Sequence, residues 1–172
     1  YSYYPAFNAN NTYLAVRETI GYARAKFFRF DAVNFTAGPG FILSSPPAGL
    51  QEYGLSWSGI SPTLTYGIGG HKIWEINIAT QQATLVKDLT SQGAAGYLTQ
   101  ILKSLDDDVI GASIVDGSGN IVGYVVYKRS TDTILLRKLV GNLDEVQVDK
   151  SGRYLLVVYN NGTDEIYDLT TS

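Results

Sequence analysis

Val109-Ile110-Gly111-Ala112-Ser113-Ile114-Val115, then Asp116-Gly117-Ser118-Gly119-Asn120, then Ile121-Val122-Gly123-Tyr124-Val125-Val126-Tyr127 is the stretch on which the fold turns. Both flanking runs are rich in β-branched and aromatic residues, which suit the pleated surface of a strand. The segment between them carries two glycines able to take positive φ, so the three pieces read as a hairpin. A further β-prone run precedes the hairpin at residues 97–103, separated by Asp106-Asp107-Asp108, and another follows at 133–140, after Ser130-Thr131-Asp132. Four strands joined by tight turns make an antiparallel meander sheet.

The same grammar recurs on both sides. Towards the C-terminus, runs at 145–148, 153–159 and 163–169 are divided by Lys150-Ser151-Gly152 and Asn160-Asn161-Gly162, which gives a unit with three strands. Towards the N-terminus, runs at 52–58, 63–68, 72–78 and 83–88 form one set, and runs at 3–7, 12–18, 24–31 and 40–43 form another. Aligning second strands places Tyr13-Leu14, Leu64, Val109-Ile110 and Tyr154-Leu155 together. The repeat is about 45–50 residues, in the range of propeller blades. Units are expected at about 1–47, 48–92, 93–142 and 143–172. A small meander has two faces to cover, and radial stacking against neighbours buries both while exposing only short outer edges. The fold class is therefore all-β, a β-propeller array of about four blades with the last incomplete. A larger ring, completed by further blades or by oligomerisation, is expected ahead of a closed four-blade ring.

Two kinds of segment resemble the repeat of TolB-type and WD40-like propellers. In those families a Ser-Pro-Asp-Gly-Lys/Arg turn precedes a strand, and an Ile-Tyr-x-x-Asp-Leu-like run closes the third strand. The matching residues are Val148-Asp149-Lys150-Ser151-Gly152-Arg153-Tyr154-Leu155 and Glu165-Ile166-Tyr167-Asp168-Leu169-Thr170, with a second copy at Lys72-Ile73-Trp74-Glu75-Ile76-Asn77-Ile78-Ala79-Thr80. A looser third lies at Tyr4-Pro5-Ala6-Phe7-Asn8 and Asn10-Asn11-Thr12-Tyr13-Leu14-Ala15. Ser-Pro-Asp-Gly is nowhere intact and no Trp-Asp dipeptide occurs. The resemblance implies a scaffold more than an activity.

Net charge is -3 and the basic residues are scattered, so no basic stripe is offered to a phosphate backbone and nucleic acid is not expected as a partner. No apolar run reaches the roughly 20 residues needed to cross a bilayer, so membrane insertion is not expected. The absence of Cys removes disulfides and thiolate metal sites. A periplasmic, secreted or cell-surface location is favoured, where the Asn-x-Thr sequons at Asn10, Asn34 and Asn161 would matter only in a eukaryotic secretory route.

No catalytic constellation is legible. His71 is the only histidine, which excludes a multi-histidine metal site, and no Gly-x-Ser-x-Gly elbow exists to build a serine hydrolase around it. Asp116, Ser118 and Asn120 alternate like oxygen ligands of a cation, but they lack the later Glu of a calcium loop and read first as a turn. No metal and no cofactor is expected. In a meander blade the hairpins between second and third strands gather at one end, which brings Tyr22, His71, Asp116, Asn120 and Asn161 towards one face. Arg24 lies beside Tyr22. Tyr22, Arg24, His71, Asp116 and Asn120 are the candidate ligand-binding residues, on the principle that binding residues ride on loops of a rigid scaffold. His71 also has the plain reading of a solvated turn residue. Tyr13, Trp74, Tyr154 and Tyr167 are expected to pack in blade cores, and Trp57 could pack or bind.

The expected function is a non-enzymatic binding or scaffold module that recognises a protein or glycan through one loop face. The alternatives are a propeller domain of a larger hydrolase or lyase whose catalytic residues lie elsewhere, and a structural repeat of a surface or filament assembly.

Overall fold

The computed structural model describes residues 6–8, 10–18, 24–41, 43, 50–90 and 97–171. These residues form four antiparallel meander sheets and no α-helix. Sheet 1 contains β1 (Ala6–Phe7), β2 (Tyr13–Glu18), β3 (Arg24–Asp31) and β4 (Thr36–Ala37). Sheet 2 contains β5 (Leu50–Trp57), β6 (Leu64–Gly69), β7 (Lys72–Asn77) and β8 (Gln82–Asp88). Sheet 3 contains β9 (Tyr97–Lys103), β10 (Val109–Val115), β11 (Ile121–Lys128) and β12 (Thr133–Leu139). Sheet 4 contains β13 (Leu143–Val148), β14 (Tyr154–Tyr159) and β15 (Asp164–Asp168). Strands pair in chain order within every sheet, and the whole is a β-propeller array.

One strand lies elsewhere than the sequence predicts. The fourth strand of sheet 1 was expected at residues 40–43 but is Thr36–Ala37, paired to Phe30 and Asp31. The expected segment still reaches the sheet through one bridge, Phe27 to Phe41. Gly38-Pro39-Gly40 interrupts what would otherwise be one continuous edge strand, since proline lacks a ladder donor.

The turn before each second strand explains why the repeat folds as it does. Asn8, Ser104 and Asp149 open three of these turns. Their side-chain oxygens accept from the backbone N–H of Tyr13 at 2.9 Å, Val109 at 3.0 Å and Tyr154 at 2.7 Å. Each turn then needs one residue in the left-handed region, filled by Asn11 (φ 56°), Asp107 (φ 61°) and Gly152 (φ 74°). Asn, Asp and Gly tolerate that conformation best. The three turns thus share one geometry although their sequences differ.

Neighbouring turns are stitched together around the array. Asn8 Nδ2 donates to the Pro62 carbonyl at 2.6 Å, Gly59 N to Asp107 Oδ1 at 3.0 Å and Leu105 N to the Lys150 carbonyl at 2.9 Å. Between these ties lie three apolar clusters, one per seam. Phe27, Leu43, Ile76 and Ile78 fill the first, and Tyr66, Ile73, Leu98, Ile110 and Ile114 the second. Tyr124, Val126, Val146, Leu155 and Val157 fill the third. Each such side chain contributes roughly 1.5–3 kcal/mol on burial. β10 is buried along its whole length, with sheets on both sides, whereas the outer strand β12 alternates towards solvent.

The aromatic expectations divide. Trp57 packs edge-on to Phe27 at 6.2 Å in the first seam. Tyr13 and Tyr167 also lie against apolar clusters. Tyr154 does not: it is exposed on the outer face of sheet 4, because no described sheet covers that face.

Candidate interaction faces

The meander connections put the turns between β6 and β7, β10 and β11, and β14 and β15 at one end of the sheets. His71 lies in the first of these, directly after Gly70 (φ 60°). Its carbonyl accepts from Leu89 N at 2.9 Å, while its buried Nδ1 has no hydrogen-bond partner among the described residues. Asp116 and Asn120 engage each other: Asp116 Oδ1 accepts from Ser118 N at 2.8 Å and Asn120 N at 3.0 Å, and Oδ2 from Asn120 Nδ2 at 3.2 Å. The Asn120 amide holds the Asp116 carboxyl below its ordinary range. Asn161 likewise closes its own turn through Thr163 N at 3.0 Å. Arg24 begins β3. Tyr22 lies outside the described residues.

The opposite end carries a feature of its own. The turn between β3 and β4 is held by Asp31, which accepts from Val33 N at 2.9 Å, Asn34 N at 3.1 Å and Asn34 Nδ2 at 2.8 Å. Asn77 holds the corresponding turn of sheet 2 through Ala79 N at 3.0 Å and Thr80 N at 3.2 Å. Both turns, and that of sheet 3, end in a left-handed residue. Sheets 2 and 3 use Gln81 (φ 57°) and Asp132 (φ 53°), but sheet 1 uses Phe35 (φ 54°). Val33 stands where sheet 2 has Ala79. Val33 is 86% and Phe35 82% exposed. A bulky side chain in the left-handed region costs about 1–2 kcal/mol, and solvent returns none of it.

Beside this tip, sheets 1 and 2 enclose a cleft of about 240 Å³ lined by Tyr13, Arg29, Pro39, Phe41, Ile78 and Gln81. Arg29 is on the same side of β3 as Phe27, two residues on, and so faces the seam with sheet 2. No carboxylate among the described residues pairs with its guanidinium. The cleft therefore joins a guanidinium with no carboxylate partner among the described residues to aromatic walls, an arrangement suited to a carboxylate flanked by an apolar group. The sequence did contain a signal: Asp31-Ala32-Val33-Asn34-Phe35 sets two large apolar residues in a turn where the other repeats have small or polar ones.

Asp107 and Arg129 organise the polar groups in the seam between sheets 2 and 3. Asp107 accepts from Ser58 Oγ, from Gly59 N and from Lys103 Nζ. Arg129 donates to Tyr66 Oη at 2.6 Å and to Glu75 Oε2 at 3.1 Å. Burial, followed by the Asp107 charge, pushes the Tyr66 hydroxyl far above its ordinary range. Such a network positions the two sheets against each other. Among the described residues no group of acidic or histidine side chains could hold a metal ion.

No family model and no curated protein matches this sequence. Among solved structures the chain is similar to a chain in the crystal structure of a mitotic checkpoint complex. That likeness has a TM-score of 0.60 and 14% identity, covering 95% of this chain and 49% of that one. The chain thus spans about half the length of its structural neighbour. In all, 443 chains match, so the likeness shows the propeller fold and not a role.

Proposed function

We propose that this chain is a non-enzymatic propeller module that binds a protein, with the β3–β4 turn of sheet 1 as its anchor. The observation that carries this reading is Phe35, held in a left-handed conformation and 82% exposed where equivalent turns use Gln81 and Asp132. A fold gains nothing from that choice, whereas rigidly presented aromatic and aliphatic side chains are what interfaces use as hot spots. The adjoining cleft, with Arg29, Tyr13 and Phe41, favours a partner segment that carries a carboxylate next to an aromatic or branched side chain. The likeness to a propeller found within a protein complex supports a protein as the partner.

Peptides selected from a random display library on the immobilised chain test this. The expected outcome is enrichment of Asp or Glu beside an apolar residue, with affinity falling at least about tenfold in Arg29→Glu and in Phe35→Ser. Peptides that bind both variants as well as the parent would refute the proposed anchor.

A second reading places a protein or glycan on the opposite end, at His71, Asp116 and Asn120 with Arg24 and Tyr22. Its supporting observation is the enclosed, unpartnered His71 Nδ1. Glycan-array binding that disappears in His71→Ala would favour it over the anchor on sheet 1.

A further inference from the structure

Tyr13 and Arg29 are direct cross-strand partners in sheet 1, so their side chains stand next to each other on one face. Both line the cleft of about 240 Å³, to which the turn between β7 and β8 contributes Ile78 and Gln81. Three polar groups therefore share it: a guanidinium, a phenol and a carboxamide. Each can donate a hydrogen bond, and none has a side-chain partner among the described residues. No Asp or Glu among the described residues lines the cleft, and the stretches outside them contain no Asp or Glu. Gln81 fits this pattern. It takes the left-handed conformation (φ 57°), where the equivalent turn of sheet 3 uses Asp132. A neutral donor thus occupies a position at which a carboxylate would repel an anion. Pro39, Phe41 and Ile78 supply apolar wall.

We propose that the cleft receives the C-terminal residue of a partner chain, one with an apolar side chain. This rests on the reading of the sheet 1 tip as a protein-binding site and narrows its ligand from any carboxylate to a chain end. Only at a C-terminus do a carboxylate and an apolar side chain stand on the same carbon. An internal Asp or Glu needs a neighbouring residue, and backbone on both sides, to present the same two groups. At about 240 Å³ the cleft is smaller than the roughly 300–1,000 Å³ of sites for drug-sized ligands, which fits a single residue. A free amino acid carries the same carboxylate but adds an ammonium, and no lining carboxylate is there to receive it. In a chain end that nitrogen is an uncharged amide. The donors match the charge that remains: the Arg29 guanidinium can pair with a carboxylate in bidentate fashion, with Tyr13 and Gln81 as further donors.

Two random peptide libraries displayed against the immobilised chain separate this from the broader reading. In one the peptide C-terminus is free, and in the other it is fused to the carrier. The free-end library is expected to give the tighter binders, with Leu, Ile or Phe as last residue. Where the end is blocked, an Asp or Glu beside an apolar residue is the nearest substitute. A synthetic copy of a selected free-end peptide should bind at least about tenfold more weakly as its C-terminal amide. Amidation alters the peptide alone, so this result does not depend on a variant folding. The amidation penalty should shrink to less than about threefold in Arg29→Gln, which removes the charge of an exposed side chain and should leave the circular dichroism spectrum unchanged. Peptides that require Arg29 but bind equally as acid and amide would overturn the chain-end proposal and leave the anchor standing. A penalty undiminished in Arg29→Gln would overturn the placing of the carboxylate in this cleft. Absence of any Arg29-dependent peptide from either library would overturn both.

Discussion

The carboxylate of Asp107 lies 2.7 Å from the ammonium of Lys103, four residues earlier, and both side chains are nearly sealed from solvent, at 1% and 8% exposure. The same carboxylate accepts from Ser58 and Gly59 across the seam, so one residue closes the turn of sheet 3 and binds sheet 2 to it. A buried pair of this kind is of small net value as a pair, but removing one partner strands the other charge. Asp107→Ala is therefore expected to lower unfolding free energy by roughly 3–5 kcal/mol in urea titration. A loss no larger than that of an exposed aspartate would show that Lys103 escapes to solvent.

Gly152 and Gly162 both have positive φ, at 74° and 80°, but their surroundings differ. A Cβ on Gly152 would stand 2.8 Å from Val109 Cγ2 and 3.0 Å from Ser104 Cβ, whereas one on Gly162 would meet nothing within 4 Å. Gly162→Ala should cost only backbone strain, about 1–2 kcal/mol. Gly152→Ala should add overpacking in the seam between sheets 3 and 4, for roughly 2–4 kcal/mol in all. Equal losses in thermal unfolding would mean that the two sheets do not press together at this turn.

Phe35 permits a test of whether its turn is shaped for folding. Phe35→Asn keeps the left-handed conformation with a residue that tolerates it, so stability should hold or rise by up to about 1 kcal/mol. Binding of selected peptides should fall in the same variant. A clear loss of stability would show that the ring supports the fold.

Acid sensitivity should come partly from sheet 4. Hydroxyls of Tyr159 and Tyr167, with the ammonium of Lys138, hold the Glu165 carboxyl down at about 2 against an ordinary 4.5. Arg153 holds Asp168 well below its usual range in the same way. A carboxylate depressed in the folded state stabilises fully above its unfolded value and loses that contribution as pH falls towards its folded one. Urea midpoints are thus expected to decline between about pH 4.5 and 2, and Glu165→Gln should flatten part of that slope. An unchanged slope would place the acid-sensitive groups elsewhere. At the other extreme, burial and Asp132 raise Tyr127 to about 12, so it should ionise after the exposed tyrosines in an absorbance titration.

The strands of sheets 2 to 4 were legible because their cues are local: alternating or fully apolar runs bounded by Asp-Gly, Asn-Gly and Ser-Gly turns. The fourth strand of sheet 1 was misplaced because Thr36-Ala37 is too short to show a period, while Phe41 and Leu43 carry the stronger apolar signal. Asp116 and Asn120 are legible as exposed polar loop residues, and the structure adds that they bond to each other within one short turn. Val33 and Phe35 form a turn with two apolar residues that stands out only beside its equivalents Ala79, Gln81 and Asp132 in the other sheets.

By itself the sequence determined the class, the four units and the turn chemistry, since strand periodicity and left-handed turn positions depend on neighbours along the chain. Only the tertiary structure decided which faces those units cover. Whether Ile166 is core or surface, whether Asp107 is a solvated turn residue or a buried tie, and whether Arg29 meets a counter-charge all depend on which sheet lies opposite. Adjacent sheets bring together residues some 50 positions apart, such as Ser58 and Asp107, and no local pattern records that contact.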